Sequence, residues 1–404
     1  MIRHITWGKA FAWRGNLTVQ ARALFASAAV LLSGCRGSPE GDPATRAVAT
    51  GGPRLVLVDS LPVQEPDSLP IGRFVQLATA PDGGVYLSDH AAGRVLEFDG
   101  SGQLRRVLGK KGKGPGEFEG AGMPVIRRRD NSLLVMDPIL RRLSAFDPRT
   151  GVFLRSMPTP FQDVGQIWTE APDGSLVFAL VASTNMVGQL ARNQDAFVAL
   201  GGLPPHVSST DFVFLMYGRP EVVPDEAGFL AQFPTFPGIQ ILDSAGRFAG
   251  MVDLPTRLRR GTPPDLVEQH MQAFAANGPF QYRGSLAGSF QRLSDGSLAV
   301  LNVDLDLPPK KRGKPPPDPT NARYYVSVLS ADHQRACVDG VLPFSSDAVM
   351  PSPSFAGDTL LALSRMVVGE TELRTVLYRY LIDTTGCQWV PTGGVRAPLP
   401  TTGQ

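Results

Sequence analysis

The chain has 404 residues, 43% of them apolar and 8% aromatic, a composition that buries a sizeable core and excludes intrinsic disorder. Its 43 glycines and 36 prolines follow no collagen-like period, so many turns and few long helices are expected. The formal charge of +2 comes from Arg3, Lys9, Arg14 and Arg22 in an acid-free leader; the remainder carries 35 basic against 37 acidic residues, near −2, which excludes a general attraction to nucleic acid.

Ala23 to Leu32 reads ALFASAAVLL behind a basic stretch. It is too short to span a bilayer, which takes about 20 helical residues, and has the length of a signal-peptide apolar region. It ends in Leu32-Ser33-Gly34-Cys35, which resembles the bacterial lipobox: an aliphatic residue, two small residues and a cysteine. The resemblance implies cleavage before Cys35 and acylation of its thiol, a membrane anchor of several acyl chains where one alone binds marginally. Arg36 follows rather than the aspartate that retains lipoproteins in the inner membrane, which points to the periplasmic face of the outer membrane or the cell surface. Residues 1–34 are thus expected to be a signal peptide and residues 35–52, small and polar, a flexible tether.

From Phe74 a unit recurs: apolar strand, Asp/Gly turn, strand, turn, strand ending in an acidic turn, last strand. Its clearest copy has the turn Pro81-Asp82-Gly83-Gly84, the strand Val85 to Ser88, the alternating strand Arg94 to Phe98, the turn Asp99 to Gly102, and Gln103 to Leu108. The first turn returns at Asp130-Asn131, Pro172-Asp173-Gly174, Asp225 to Gly228, Ser294-Asp295-Gly296 and Ala356-Gly357-Asp358. Six four-stranded meanders follow, and small sheets of this kind gain a core by stacking around an axis. The predicted fold is all-β: a six-bladed β-propeller over residues 53–395, with a tail at 396–404. Arg54 to Pro62 reads as the end of a blade and is expected to join the C-terminal blade near Val376 to Tyr380, closing the ring.

Two insertions interrupt the pattern. Thr262-Pro263-Pro264-Asp265 followed by Leu266, His270, Ala273 and Phe274 predicts a short helix. Residues 308–321, PPKKRGKPPPDPTN, form a basic proline-rich loop that cannot pair as a strand.

Phe74 to Leu143 resembles NHL-repeat propellers through Asp82-Gly83, Ser88-Asp89, Arg94-Val95 with Phe98-Asp99, and the spaced Gly109, Gly112, Gly114 and Gly116-Glu117-Phe118. The match covers two blades and is faint over the other four. It is closest to six-bladed propeller lipoproteins of Gram-negative bacteria.

Catalytic motifs are sparse. Gly109 to Gly116 is rich in glycine and lysine, but it lacks the G-x-x-x-x-G-K-[ST] order of a phosphate loop and leads into a strand. The five histidines show no metal-ligand spacing, and neither a G-x-S-x-G elbow nor an EF-hand loop is present. Asp89 and His90 in a blade turn, and Asp304 and Asp306 alternating on one strand face, are the candidates for a propeller face or channel. Lys310 to Lys314 reads as a solvated loop. Cys337 and Cys387 are candidates for a disulfide, although outer strands of successive blades splay apart and a bridge needs Cα atoms within about 7 Å.

These readings lead to an expected monomeric, lipid-anchored binding or scaffold module of the cell envelope. Its partners would be the membrane, through acylated Cys35, and an envelope protein or small ligand, with no nucleic acid and no evident cofactor. The alternative is a hydrolase or lyase with a divalent metal in the central channel.

Overall fold

The computed structural model describes residues 51–65, 70–72, 75–80, 82–160, 163–181, 185–192, 196–204, 220–236, 238–263, 265, 266, 268, 269, 272, 282–307, 320–343, 349–368, 372–393, 395 and 396. Cys35, the loop at 308–319 and His270, Ala273 and Phe274 lie outside these residues. The described strands fall into six sheets. β1 (Arg54–Val63) comes first in sequence but belongs to the last blade. Blade 1 is β2 (Val75–Thr79), β3 (Val85–Asp89), β4 (Arg94–Phe98) and β5 (Leu104–Leu108). Blade 2 is β6 (Pro124–Arg127), β7 (Ser132–Asp137), β8 (Arg142–Phe146) and β9 (Phe153–Pro158), and blade 3 is β10 (Asp163–Glu170), β11 (Leu176–Val181), β12 (Val187–Leu190) and β13 (Phe197–Leu200). Blade 4 is β14 (Glu221–Asp225), β15 (Gly228–Gln232), β16 (Gly238–Asp243) and β17 (Phe248–Asp253). Blade 5 is β18 (Tyr282–Arg292), β19 (Leu298–Leu307), β20 (Thr320–Leu329) and β21 (Arg335–Val341); blade 6 is β22 (Val349–Ala356), β23 (Thr359–Val368), β24 (Glu372–Asp383) and β1.

The packing explains why the middle strands read as unbroken apolar runs. Each blade is sandwiched between two others, so both faces of its central strands are buried and successive side chains enter different cores. In β7, Leu133 and Val135 pack toward blade 1 while Leu134 and Met136 pack toward blade 3. In β19, Leu298 and Val300 face blade 4 and Ala299 and Leu301 face blade 6. Blades 3 and 4 meet through Val177, Ala179, Val222 and Ala231, and blades 6 and 1 through Leu361, Leu363, Leu77 and Leu87. The outer strands lack a second neighbour. β5 and β9 accordingly alternate between half-buried and exposed residues along most of their length.

Ring closure is antiparallel pairing of β1 with β24, in register from Arg54 opposite Asp383 to Val63 opposite Thr375, with a shift between Leu57 and Asp59. Because β1 supplies the outer strand of blade 6, the chain beyond β24 is free to run back over earlier blades. β25 (Val390–Pro391) adds to β21 of blade 5 and β26 (Val395–Arg396) to β17 of blade 4. This path corrects the expectation that Cys337 and Cys387 sit on outer strands of successive blades. Cys387 lies beyond β24 in the returning segment, which brings it to β21, and the two cysteines form a disulfide with Cα atoms 5.7 Å apart. The inserted segment near Pro263 has helical Leu266, Glu268, Gln269 and Gln272, with the Gln269 N–H donating to the Asp265 carbonyl at 2.9 Å. Buried Leu266 packs on Tyr282 and Leu305 of blade 5.

The bridge spans 50 residues. Closing a loop of that length in the unfolded chain stabilises the native state by about 2–4 kcal/mol. Urea titration of the mature protein should show that much loss of stability for Cys387→Ser. Equal midpoints with and without reductant would mean that the bridge does not form in solution.

Candidate functional site

A meander of four strands places its connections alternately at two ends of the propeller. At one end lie the turns between first and second strands and between third and fourth strands, none longer than six residues. At the other end lie the links within each blade from second to third strand and from each blade to the next. Residues 64–74, 109–123, 201–220, 254–281 and 308–319 all connect strands at this second end. Three of those five connections flank the strands of blades 4 and 5.

Several acidic turns of the short end bond to themselves, while Asp358 reaches the turn of the blade before it, accepting the Ser294 N–H at 2.7 Å. Asp173 Oδ1 accepts the Ser175 hydroxyl at 2.6 Å and its N–H at 2.9 Å, and Asp295 does the same for Ser297. The Ser175 hydroxyl and N–H hold the Asp173 carboxyl below its ordinary range, and Ser101 acts likewise on Asp99. Asn131 closes the blade 2 turn with φ of 52°, a left-handed conformation that asparagine tolerates.

At the long-loop end, Asp89 and Asp137 end the second strands of blades 1 and 2. Asp89 is buried and accepts N–H groups from Gly72 at 3.1 Å and Ala92 at 3.2 Å and the Arg94 guanidinium at 3.2 Å. Asp137 is fully buried and accepts four backbone N–H groups, from Glu119, Gly120, Ile139 and Leu140. Arg94 and Arg142 complete these staples by donating to loop carbonyls, Arg94 to Pro70 and Arg142 to Lys113, Gly114 and Glu117. Asp89 is therefore a fastener for an inter-blade connection, not a displayed group. His90 stands beside it, with Nδ1 3.3 Å from the Ala121 carbonyl oxygen.

The glycine and lysine loop at Gly109 holds an anion of its own. Glu117 accepts the Gly114 N–H at 2.8 Å and pairs with Lys110 at 3.2 Å, which holds its carboxyl below the ordinary range.

Asp304 and Asp306 converge on one arginine. Asp304 is buried and accepts the Ser285 hydroxyl and the Arg260 N–H, the latter at 2.9 Å, while Asp306 pairs with Arg260 Nη1 at 2.6 Å. Next to them Asp339 accepts three successive N–H groups, from Arg257, Leu258 and Arg259, and the Arg259 Nε at 2.9 Å. Arg259 also donates to Asn302 Oδ1 and to the carbonyls of Leu254 and Pro255. This network fastens the start of the 254–281 connection to blade 5. Asp89 and His90 on blade 1 and Asp304 and Asp306 on blade 5 thus belong to separate clusters. Among the described residues, no group of three or more His, Cys, Asp and Glu side chains is placed to hold a metal ion, and no helix is long and apolar enough to cross a membrane.

A residue the sequence reading passed over stands apart. Glu221, first in β14, is half-buried and receives one hydrogen bond, from the Phe290 N–H at 3.1 Å. That N–H is available because β18 shifts register between Ala287 and Phe290. Burial pushes the carboxyl up to about 8, against which the single N–H acts weakly. The only signal in the sequence is an acid opening the otherwise apolar run Val222-Val223.

Two outcomes follow. Asp137→Ala strands four N–H groups and should cost about 3 kcal/mol in urea unfolding, whereas Asp147→Ala, in an exposed turn, should change it little. For Glu221 the folded carboxyl titrates above its ordinary value, so its stabilising contribution is complete below about 4.5 and is lost as pH rises through about 8. Stability measured from pH 5 to 8 should therefore fall with a slope that Glu221→Gln flattens; an unchanged slope would contradict a buried neutral acid.

Comparison with known proteins agrees with this architecture. A family model described as 6-bladed beta-propeller, DUF5128, matches residues 55–197, which take in the closing strand and the chain up to the start of β13. No curated protein matches the chain. Among solved structures, a member of the DUF4221 family from Bacteroides vulgatus is 12% identical, with 83% of this chain and 99% of that chain covered at a TM-score of 0.53. A putative exported protein from Bacteroides fragilis is 12% identical, with 83% and 97% covered at a TM-score of 0.52. At such identity the likeness is one of fold, and the chain is a six-bladed β-propeller of four-stranded antiparallel sheets.

Proposed function

We propose that the chain is a membrane-anchored, NHL-like propeller of the cell envelope that binds a protein or small ligand at its long-loop end. The observation that carries this reading is the division of the connections. Between the described strands, every link longer than six residues joins strands at one end, while short closed turns occupy the other. Long connections on a rigid scaffold are where proteins place binding groups. β1 begins at Arg54, opposite Asp383 at the end of β24, and so starts at the short-turn end. The disulfide suits an oxidising compartment outside the cytoplasm.

Two measurements test the two halves. Metabolic labelling with radioactive palmitate should mark the protein in membranes, and Cys35→Ser should lose both label and membrane sedimentation; an unlabelled wild-type chain would refute the anchor. A photo-crosslinking amino acid placed in living cells at exposed Ile139 or Leu258, in long-loop-end connections, should yield discrete adducts. The same probe at Ser101 or Asp332, in exposed short turns, should not. Adducts confined to the short turns would reverse the assignment of the binding face.

A further inference from the structure

The buried aspartates at the long-loop end of this propeller each hold several donors. Asp137 takes four N–H groups, Asp89 two N–H groups and an arginine, Asp304 a hydroxyl, an N–H and Arg260, and Asp339 three N–H groups and Arg259. Glu221 takes the Phe290 N–H alone, and among the described residues no cation faces it. Directly opposite it on β15 is Gln232, 4% exposed, whose Oε1 meets no donor.

These two side chains share a face. Directly paired residues of antiparallel strands project to the same side, with Cβ atoms about 5 Å apart. Two residues along on the same strands, Val223 and Leu230 enter the core between blades 4 and 5. Glu221 and Gln232 therefore crown that core at the long-loop end, where the connection 201–220 delivers β14 and 233–237 leaves β15. Neighbouring cations are engaged elsewhere. Arg259 is consumed by Asp339, Asn302 and two carbonyls, and Arg292 pairs with Asp225 at the far end of β14.

The junction thus presents a carboxyl and an amide oxygen whose one further donor is the acid's own proton. A divalent ion is a poor match, since it takes six or more oxygens and several carboxylates. A water could satisfy Gln232 but brings no counter-charge once Glu221 ionises. A nitrogen that carries both positive charge and N–H groups supplies what both oxygens lack.

We propose that Glu221 and Gln232 bind the cationic nitrogen of a small ligand, a primary ammonium or a guanidinium group, at the long-loop end of the junction between blades 4 and 5. The ligand donates N–H groups to the Glu221 carboxylate and to Gln232 Oε1. Because the empty carboxyl is held protonated by burial, binding near neutral pH expels a proton to solvent as the carboxylate forms. This deepens the reading of the long-loop end as the binding face and rests on it for the direction of approach, though not for the chemistry.

The test is calorimetry of the mature, disulfide-intact protein with n-butylammonium and with methylguanidinium, at pH 7 in two buffers of different ionisation enthalpy. n-Butanol and tetramethylammonium, which lack the charge and the N–H groups respectively, are the controls. Saturable binding of at least one N–H cation, accompanied by proton release and absent for both controls, is expected. Glu221→Gln should weaken binding about tenfold or more and abolish proton release. Gln232→Leu should weaken binding while leaving proton release intact, and it keeps the test decisive if the first variant is unstable. Absence of saturable binding by either cation, equal binding of tetramethylammonium, or unchanged binding in both variants would overturn the proposal. Photo-adducts at Ile139 and Leu258 without amine binding would remove this site and leave the binding face standing. Amine binding without such adducts would remove the macromolecular partner and leave the site.

Discussion

Every blade depends on having a neighbour on each face. A four-stranded sheet buries little alone, and central strands such as β3 and β7, with all their residues buried, would expose two apolar faces if either adjacent blade were missing. The ring must therefore close, and the pairing of β1 with β24 is the link that closes it. Leu61 and Val63 of β1 enter the same core as Leu377 of β24 and Leu77 and Leu87 of blade 1, so the closing strand supplies both hydrogen bonds and apolar contact. Using the N-terminal strand for this purpose sets the path of the other terminus.

The fold was legible because propeller turns carry local chemistry. Asp173-Gly174-Ser175 and Asp295-Gly296-Ser297 form the same hydrogen-bonded turn because an aspartate oxygen reaches the hydroxyl and N–H two residues on, and that preference survives without tertiary help. The closing strand was equally readable, since Arg54 to Pro62 has the same apolar pattern as other blade ends. The disulfide geometry was not. Its proximity depends on a returning segment whose pairings at β25 and β26 are two residues each, too short to leave a periodic signal. Counting blades outward from the repeat placed Cys387 on a strand that β1 already supplies.

The candidate site was legible only in part, for a physical reason. Asp89 and Asp304 stand out in sequence as acids at strand ends, yet in the structure they fasten loops to blades, a role that local patterning cannot separate from display. What marks Glu221 is that no cation among the described residues pairs with it, and such a shortage becomes visible only when the neighbours are in place. Its one donor comes from Phe290, which lies 69 residues away and is freed by a register shift in β18.

The two ends of the molecule solve opposite problems. At the short end acids such as Asp173 and Asp295 bond to their own turns, and others tie one blade to the next, Asp358 to Ser294 and Asp225 to Arg292. At the long end, buried aspartates and arginines hold inter-blade connections in fixed positions, and rigid anchorage lets the rest of each connection vary. Blades 4 and 5 carry this furthest: their outer edges are covered by β26 and β25, the 254–281 connection is fastened by Asp339 and Asp304, and β18 and β19 run longer than their counterparts in blades 1 and 2. A junction braced on its outer edge and on its rim can keep an under-satisfied carboxyl that a looser one would hydrate. The reinforcement of blades 4 and 5 and the acid at their junction fall in the same part of the ring.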